Sequence, residues 1–268
     1  MIRAPLSTTA VLDESAEVVR MTAAPWAGIL ILASMPYRFL QMLFLDRVLE
    51  LGGTATQYGD VLRSTAYWTA AAFVLSLCGR AVYARACRLA VSGGSPGSEA
   101  LRVRPAALLN YIYVASLAEV ITYMTVITFV GPIAGVMLSG LAIGTMELNE
   151  RVSLTAPLRL IGRYTRVAML FGLVFVFFCA FIVALVNLTA AFQLVVWASG
   201  AFGGFDAPRW QLLFTGSNRR YTLLLIAGAL VAVEPFWIAA QVVFVRKAGA
   251  EERGDDLRAW FEELRRAS

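Results

Sequence analysis

Four polar side chains interrupt stretches of the sequence that are otherwise apolar: Arg38, Glu119, Asn187 and Glu234. Charged side chains inside a membrane are costly, rare and often functional. Because an unpaired buried charge costs several kcal/mol, we expect Arg38 to form a structural ion pair with Glu119 or Glu234. The alternatives are a proton or ion relay through the two glutamates, and a glutamate that faces a polar cavity or a partner subunit.

The residue types that most catalytic sites need are missing. The chain has no histidine, which excludes a Ser-His-Asp triad, a Cys–His pair and any metal motif built on histidine. It also lacks the Gly-x-x-x-x-Gly-Lys loop that cradles phosphates. Cys78, Cys87 and Cys179 fall in or beside apolar segments, and we expect them to be small buried hydrophobic residues. We therefore expect no enzymatic activity, no catalytic residue, no cofactor and no metal site.

The polar side chains must be positioned by membrane-spanning helices. The chain is 59% hydrophobic and 15% charged, with a mean hydropathy of +0.69, which is more apolar than a soluble domain can conceal. A span needs about 20 apolar residues, and six segments meet this length, at 26–45, 66–86, 105–127, 130–148, 167–190 and 221–245. The sequence predicts an all-α, polytopic integral membrane protein, a bundle of six transmembrane helices forming a single domain over 1–268.

The basic residues indicate how this bundle is oriented. If the N-terminus is cytoplasmic and all six segments cross, the cytoplasmic side holds 17 of the 23 Lys and Arg residues and the outer side holds five, with Arg38 inside the first span. Cytoplasmic loops are enriched in basic residues, so we expect both termini in the cytoplasm. The net charge of +5 follows from these loops, and we expect no nucleic-acid partner.

A tight helical hairpin is predicted over 105–148. This stretch is too long for one span and is broken by Gly131-Pro132. Small residues follow the break at four-residue spacing, which lets helix backbones approach closely. We expect packing inside one bundle, with homodimerisation as the alternative. The small residues are Gly131, Gly135, Ser139, Gly140 and Gly144.

Two shorter pieces before the spans are predicted to be interfacial amphipathic helices. Around Leu12–Arg20, the apolar residues Leu12, Ala16 and Val19 alternate with charged ones. The segment 153–166 has an apolar back and a basic face that suits lipid headgroups. That basic face consists of Arg159, Arg163 and Arg166.

The C-terminal segment 254–268 is predicted to be an amphipathic cytoplasmic tail. Its apolar residues recur at the spacing of one helical face, and this face is expected to dock on the bundle or on another protein. The docking face consists of Leu257, Trp260, Phe261 and Leu264. By contrast, the aromatic-rich segment 197–220 is expected to be an interfacial loop, with a lid as the alternative.

Two stretches carry a family resemblance. Residues 147–163 read ELNERVSLTAPLRLIGR, and residues 233–246 read VEPFWIAAQVVFVR with a charged segment after them up to Leu264. They resemble a group of bacterial six-span proteins that includes the membrane domain attached to some glycerophosphodiester phosphodiesterases and membrane proteins encoded beside MoxR-type ATPases. The resemblance implies a helical inner-membrane subunit that works with a cytoplasmic ATPase, a von Willebrand-type protein or other membrane proteins. It supplies no catalytic residues, and the chain has no phosphodiesterase domain.

These observations favour a non-enzymatic integral membrane subunit of a bacterial inner-membrane complex. Its expected partners are membrane lipid and other membrane or cytoplasmic proteins, including components of the MoxR-type ATPase system. The second hypothesis is a small transporter or channel that uses Glu119 and Glu234. The third is a membrane-shaping or lipid-handling protein that acts through the basic helix 153–166.

Overall fold

The structure is a computed structural model that describes residues 7–51, 59–124, 130–146, 164–203, 215–253 and 265. Throughout these ranges the regular secondary structure is helical. The helices are α1 (Thr8–Met21), α2 (Gly28–Leu51), α3 (Gly59–Val91), α4 (Pro105–Met124), α5 (Val130–Thr145), α6 (Tyr164–Gly203) and α7 (Arg219–Arg253). A π-helical turn over Ala23–Ala27 joins α1 to α2, and a 3-10 turn over Ser98–Leu101 precedes α4.

Five of these helices contain segments long and apolar enough to cross a membrane. The segments are Ala23–Val48, Leu62–Val91, Pro105–Thr122, Arg166–Phe202 and Arg219–Glu251. They support a multi-pass, membrane-embedded helical protein. The predicted fourth span, 130–148, corresponds to α5, whose 16 residues extend about 24 Å. That length is below the usual minimum for a span, so the sixth crossing stays a prediction.

Internal packing divides the chain into two compact units. The first unit comprises Met1–Ile29, Arg80–Val176 and Pro235–Ser268, and the second comprises Leu30–Gly79 and Phe177–Glu234. Because of these boundaries, α2, α3, α6 and α7 each contribute residues to both units.

Helix α1 is amphipathic, but it buries a different face from the one predicted. The Ser7 hydroxyl accepts a hydrogen bond from the Ala10 amide and caps the helix. Val11, Ser15 and Val18 are buried, whereas Ala16 of the predicted face is exposed. Ser15 can be buried because its hydroxyl donates to the Val11 carbonyl, which satisfies its polar group inside the helix.

Small residues bring α5 close to its neighbours in the first unit, as the sequence predicted. A Cβ atom on Gly135 would overlap the Thr122 side chain of α4. On the other side, a Cβ atom on Gly140 would lie 2.7 Å from Gln241 Cδ of α7, and one on Gly144 would lie 2.9 Å from the Gln241 carbonyl oxygen. These contacts support packing within the bundle. The turn predicted near 128–132 is wrong for residues 130–132, which form the first turn of α5, and residues 128–129 lie outside the described residues.

Helix α6 is much longer than the predicted span 167–190. It runs for 40 residues to Gly203, so the first part of the predicted loop 197–220 is helical instead. The reason is that residues 191–202 contain neither proline nor charge, and nothing in them interrupts the helix. Residues 204–214 of that predicted loop lie outside the described residues.

Candidate functional site

The intramembrane charges Arg38 and Glu234 lie side by side in the second unit. Arg38 Nη2 of α2 is 4.0 Å from Glu234 Oε1 of α7, and Glu234 is buried. Arg38 Nη1 also donates to Gln41 Oε1 at 2.9 Å, and the guanidinium lies 5.1 Å from the centre of the Tyr37 ring. Of the two partners expected for Arg38, the structure therefore places Glu234 beside it, where each charge lowers the cost of burying the other.

The other two residues of the predicted polar network lie on α4 and α6. Glu119 is half-buried in α4 and belongs to the first unit, whereas Asn187 is an exposed residue of α6 in the second unit. Of the predicted network, the described contacts therefore show the pair of Arg38 and Glu234.

Arg166 overturns part of the predicted headgroup face. Its side chain is 1% exposed, and Nη2 lies 3.0 Å from Glu251 Oε2 and donates to the Ala248 carbonyl at 3.2 Å. The physical reason is that α6 begins at Tyr164, which places Arg166 in its first turn and against the last turns of α7. Arg166 is thus a buried ion-pair residue and not a lipid-facing one. Arg159 and Arg163 lie outside the described residues.

The predicted docking face of the C-terminal tail also falls outside the part of the chain that the structure describes. This applies to Leu257, Trp260, Phe261 and Leu264. Their role in binding a partner stays a prediction.

An ion-pair cluster in the second unit was missed by sequence reasoning. Asp46 Oδ1 lies 2.6 Å from Arg219 Nε, and Asp46 Oδ2 lies 3.1 Å from Arg220 Nε. Glu50 Oε1 lies 2.8 Å from Arg220 Nη2 and 3.3 Å from Arg219 Nη2. The sequence held a signal for this cluster. Asp46 and Glu50, one helical turn apart, follow the predicted first span, and two arginines directly precede the predicted sixth span. The cluster joins the end of α2 to the beginning of α7.

A second missed cluster joins α1 to α7 in the first unit. Glu14 Oε2 lies 2.9 Å from Lys247 Nζ, and Glu14 Oε1 lies 3.4 Å from Arg246 Nη1. A separate contact joins the end of α1 to α3, where the Thr22 hydroxyl shares a 3.0 Å hydrogen bond with Tyr83 OH. More than 200 residues separate Glu14 from its partners in the sequence, so no local pattern indicated the contact.

The described polar groups can hold helices together and balance buried charge. Within the described residues, no three His, Cys, Asp or Glu side chains are grouped closely enough to hold a metal ion. Cys87 is buried and Cys78 half-buried, as expected of small hydrophobic residues, but Cys179 is exposed on α6. The prominent chemistry of these residues is ion pairing between helices.

Comparison with known proteins yielded no relative: no protein-family model, no curated protein and no solved structure matches this chain. The resemblance to bacterial six-span proteins accordingly stays a prediction from the two sequence stretches.

Proposed function

We propose that the protein is a non-enzymatic integral membrane subunit of a bacterial inner-membrane complex, with six spans and both termini in the cytoplasm. The observation that carries the proposal is the apolar length of α6. Its segment Arg166–Phe202 is 37 residues long and contains an 18-residue window with a mean hydropathy of 3.0, and Arg166 is its only charged residue.

This segment is longer than a bilayer can cover. At 1.5 Å per residue it extends about 55 Å, whereas the hydrocarbon core is about 30 Å thick. Fitting the segment into that core would need a tilt of more than about 50°, beyond the usual range of membrane helices. Even at a tilt of about 40°, the core would cover about 39 Å of the segment, so about ten residues at one end favour another apolar environment.

The far end of α6 has the side chains that such an environment would cover. Trp197 is 60% exposed and Phe202 is 86% exposed, and Leu194 and Val195 beside them are also exposed. Large exposed apolar patches are typical of interaction sites, and aromatic residues often anchor protein interfaces. A partner protein that covers this end would remove the cost of exposing it to water.

The first test is purification from the native host in a gentle detergent, followed by mass spectrometry and native mass measurement. We expect partners in stoichiometric amounts. Trp197→Ala should reduce their recovery, whereas Phe175→Ala, which removes an equally exposed ring nearer the start of the same helix, should not. A chain that purifies alone, as a monomer or homodimer, would contradict the proposal.

The tail and the resemblance extend the proposal to a cytoplasmic partner. The amphipathic pattern of 254–268 and the likeness to proteins encoded beside MoxR-type ATPases favour a component of such an ATPase system. Deleting 254–268 is expected to release that partner while the bundle stays folded. Unchanged association after the deletion would remove this role from the tail.

The orientation has its own test. The basic residues support cytoplasmic termini, and a reporter active only in the cytoplasm should therefore work when fused to either end. If a reporter that works only outside the cytoplasm is active when fused to either end, the proposed topology is wrong.

A second candidate function is a small transporter or channel, favoured by the burial of Glu234 beside Arg38 within the helices. It predicts that Glu119→Gln and Glu234→Gln abolish flux in reconstituted vesicles, while Asn187→Leu, at an exposed position, keeps it. Transport at the normal rate by the Glu119→Gln variant would exclude a relay through both glutamates.

A further inference from the structure

A largely apolar cavity lies in the first unit, between the last turns of α3 and the later part of α7. Its volume is about 200 Å³. An apolar cavity offers water few hydrogen-bond partners and suits an apolar occupant instead. The lining residues are Val91, Val242, Val245 and Gly249, together with Arg88, Ser92 and Arg246.

The two arginines of the lining already have protein partners for their charged ends. Arg88 Nη2 donates to the Gly144 carbonyl of α5 at 3.0 Å, and Arg246 Nη1 donates to the Val91 carbonyl at the end of α3. Arg246 Nη1 also lies 3.4 Å from Glu14 Oε1. Because carbonyls and a carboxylate bind these guanidinium groups, the occupant of the cavity need not carry a charge.

The volume of the cavity suits one aromatic side chain. An apolar cavity of about 150 Å³ holds a benzene ring, so this larger cavity has room for the two fused rings of tryptophan. Ser92 is exposed at the rim, and its hydroxyl donates to the Leu89 carbonyl at 2.8 Å. Its oxygen can also accept a hydrogen bond, and a buried tryptophan usually finds an acceptor for its indole N–H.

The C-terminal segment begins within reach of the cavity. Gly249 lines the cavity, and α7 ends at Arg253, about one helical turn further on. Residues 254–268 follow, and Trp260 is the seventh residue after the helix. Seven residues can extend about 23 Å, whereas the distance back along α7 to Gly249 is about 6 Å. Gly254 comes directly after α7, and glycine is the residue at which a chain most readily leaves a helix and turns.

We propose that Trp260 fills this cavity when no partner is bound, so that the C-terminal segment docks on its own bundle. Trp260 belongs to the predicted docking face of that segment, and a tether of this length gives an effective concentration in the millimolar range. The regulatory part of the inference rests on the function proposed above. A partner that binds the same face must first draw Trp260 out of the cavity, which makes the contact autoinhibitory.

The test is hydrogen–deuterium exchange of residues 254–268 in the full-length protein, purified in detergent without partners. A synthetic peptide of that sequence gives the exchange rate of the undocked segment. We expect the segment to exchange at least fivefold more slowly in the protein than in the peptide. Ser92→Trp places a large side chain at the rim without altering the core, and it should remove this protection, as should Trp260→Ala.

Ser95→Trp is the matched control, because Ser95 is also exposed, lies three residues further along the chain and is not a lining residue of the cavity. It should leave the exchange of the segment at the wild-type rate. Circular dichroism of each variant verifies the fold. The measurement needs no partner, so a chain that purifies alone would contradict the proposed complex without affecting the docking of Trp260.

Two results would overturn the proposal. The first is exchange of the segment that is as fast in the wild type as in the free peptide, or equal in the wild type, Ser92→Trp and Trp260→Ala. The second is a lipid seen in native mass spectra of the wild type and lost from Ser92→Trp while the exchange of 254–268 stays unchanged, which would assign the cavity to an acyl chain.

Discussion

Arg166 Nη2 lies 3.0 Å from Glu251 Oε2, and this contact joins the first turn of α6 to the end of α7. The arginine is almost fully buried, while the glutamate is 37% exposed. The same guanidinium donates to the Ala248 carbonyl in the last turns of α7. Arg166 therefore stabilises the end of α7 through both a carboxylate and a carbonyl.

Replacing Glu251 by glutamine should destabilise the protein by about 1–2 kcal/mol, because it takes a counter-charge from a buried guanidinium. The partial exposure of Glu251 keeps the loss below that of a fully buried pair. The measurement is the midpoint of thermal unfolding in detergent. Glu17→Gln is the control, since Glu17 pairs with the exposed Arg20 and its loss should leave the midpoint unchanged. Equal midpoints for Glu251→Gln and the wild type would show that the pair contributes nothing.

The membrane helices could be predicted because their signal is local. About 20 predominantly apolar residues in a row suffice to indicate a span, and α2, α3, α4, α6 and α7 each contain such a segment. The ends were less predictable. The sequence placed the end of the fifth span at 190, but α6 continues to Gly203, since hydropathy measures apolar length and does not detect where a helix stops.

The pairing of charges could be predicted only in part, because it depends on how each helix is rotated. Arg38 needed an acidic partner, and the amino-acid sequence was compatible with either Glu119 or Glu234. The packing of the helices places Glu234 beside it. Arg166 continued a regular basic face in sequence, yet the helix in which it lies turns it towards Glu251. The periodicity of a sequence shows which side chains share a face of a helix. It does not show which other helix packs against that face.

Gly144→Ala should destabilise the protein by about 1–3 kcal/mol through overpacking. The added Cβ would lie 2.9 Å from the Gln241 carbonyl oxygen and closer still to Val245, and the backbone of α7 cannot move aside as a flexible side chain could. Gly28→Ala is the matched control, because no atom lies within 4 Å of its added Cβ, and alanine there should be neutral or stabilising. Thermal unfolding of both variants in one detergent measures the difference. A Gly144→Ala variant as stable as Gly28→Ala would contradict close packing of α5 on α7.

Asp46→Asn should weaken the attachment of α2 to the start of α7. Asp46 is 2% exposed and accepts hydrogen bonds from both Arg219 and Arg220, and asparagine would keep only one acceptor oxygen and no charge. We expect a lower unfolding midpoint and faster deuterium uptake by the amides at the beginning of α7. Arg47→Gln is the control, because Arg47 pairs with Glu50 at the exposed side of the same cluster. The same uptake in the Asp46→Asn variant as in the wild type would show that the cluster does not hold these helices together.

Glu14→Gln should loosen α1 from the rest of the first unit. The Glu14 carboxylate accounts for the ion pairs with Arg246 and Lys247, while the remaining attachment comes from the buried Val11, Ser15 and Val18 and from the Thr22–Tyr83 hydrogen bond. Both groups of contacts hold α1 against the first unit. Loss of the ion pairs should therefore make local opening of α1 more frequent, while the remaining contacts keep the helix attached. We expect amide exchange over 8–21 to quicken between about twofold and tenfold.

Hydrogen–deuterium exchange with mass spectrometry measures this change peptide by peptide. Glu17→Gln lies one turn further along the same helix and removes only the exposed pair with Arg20, so it should leave exchange at 8–21 near the wild-type rate. If Glu14→Gln and Glu17→Gln exchange equally slowly, the apolar face alone holds α1, and the ion pairs with α7 are surface contacts of little energetic weight.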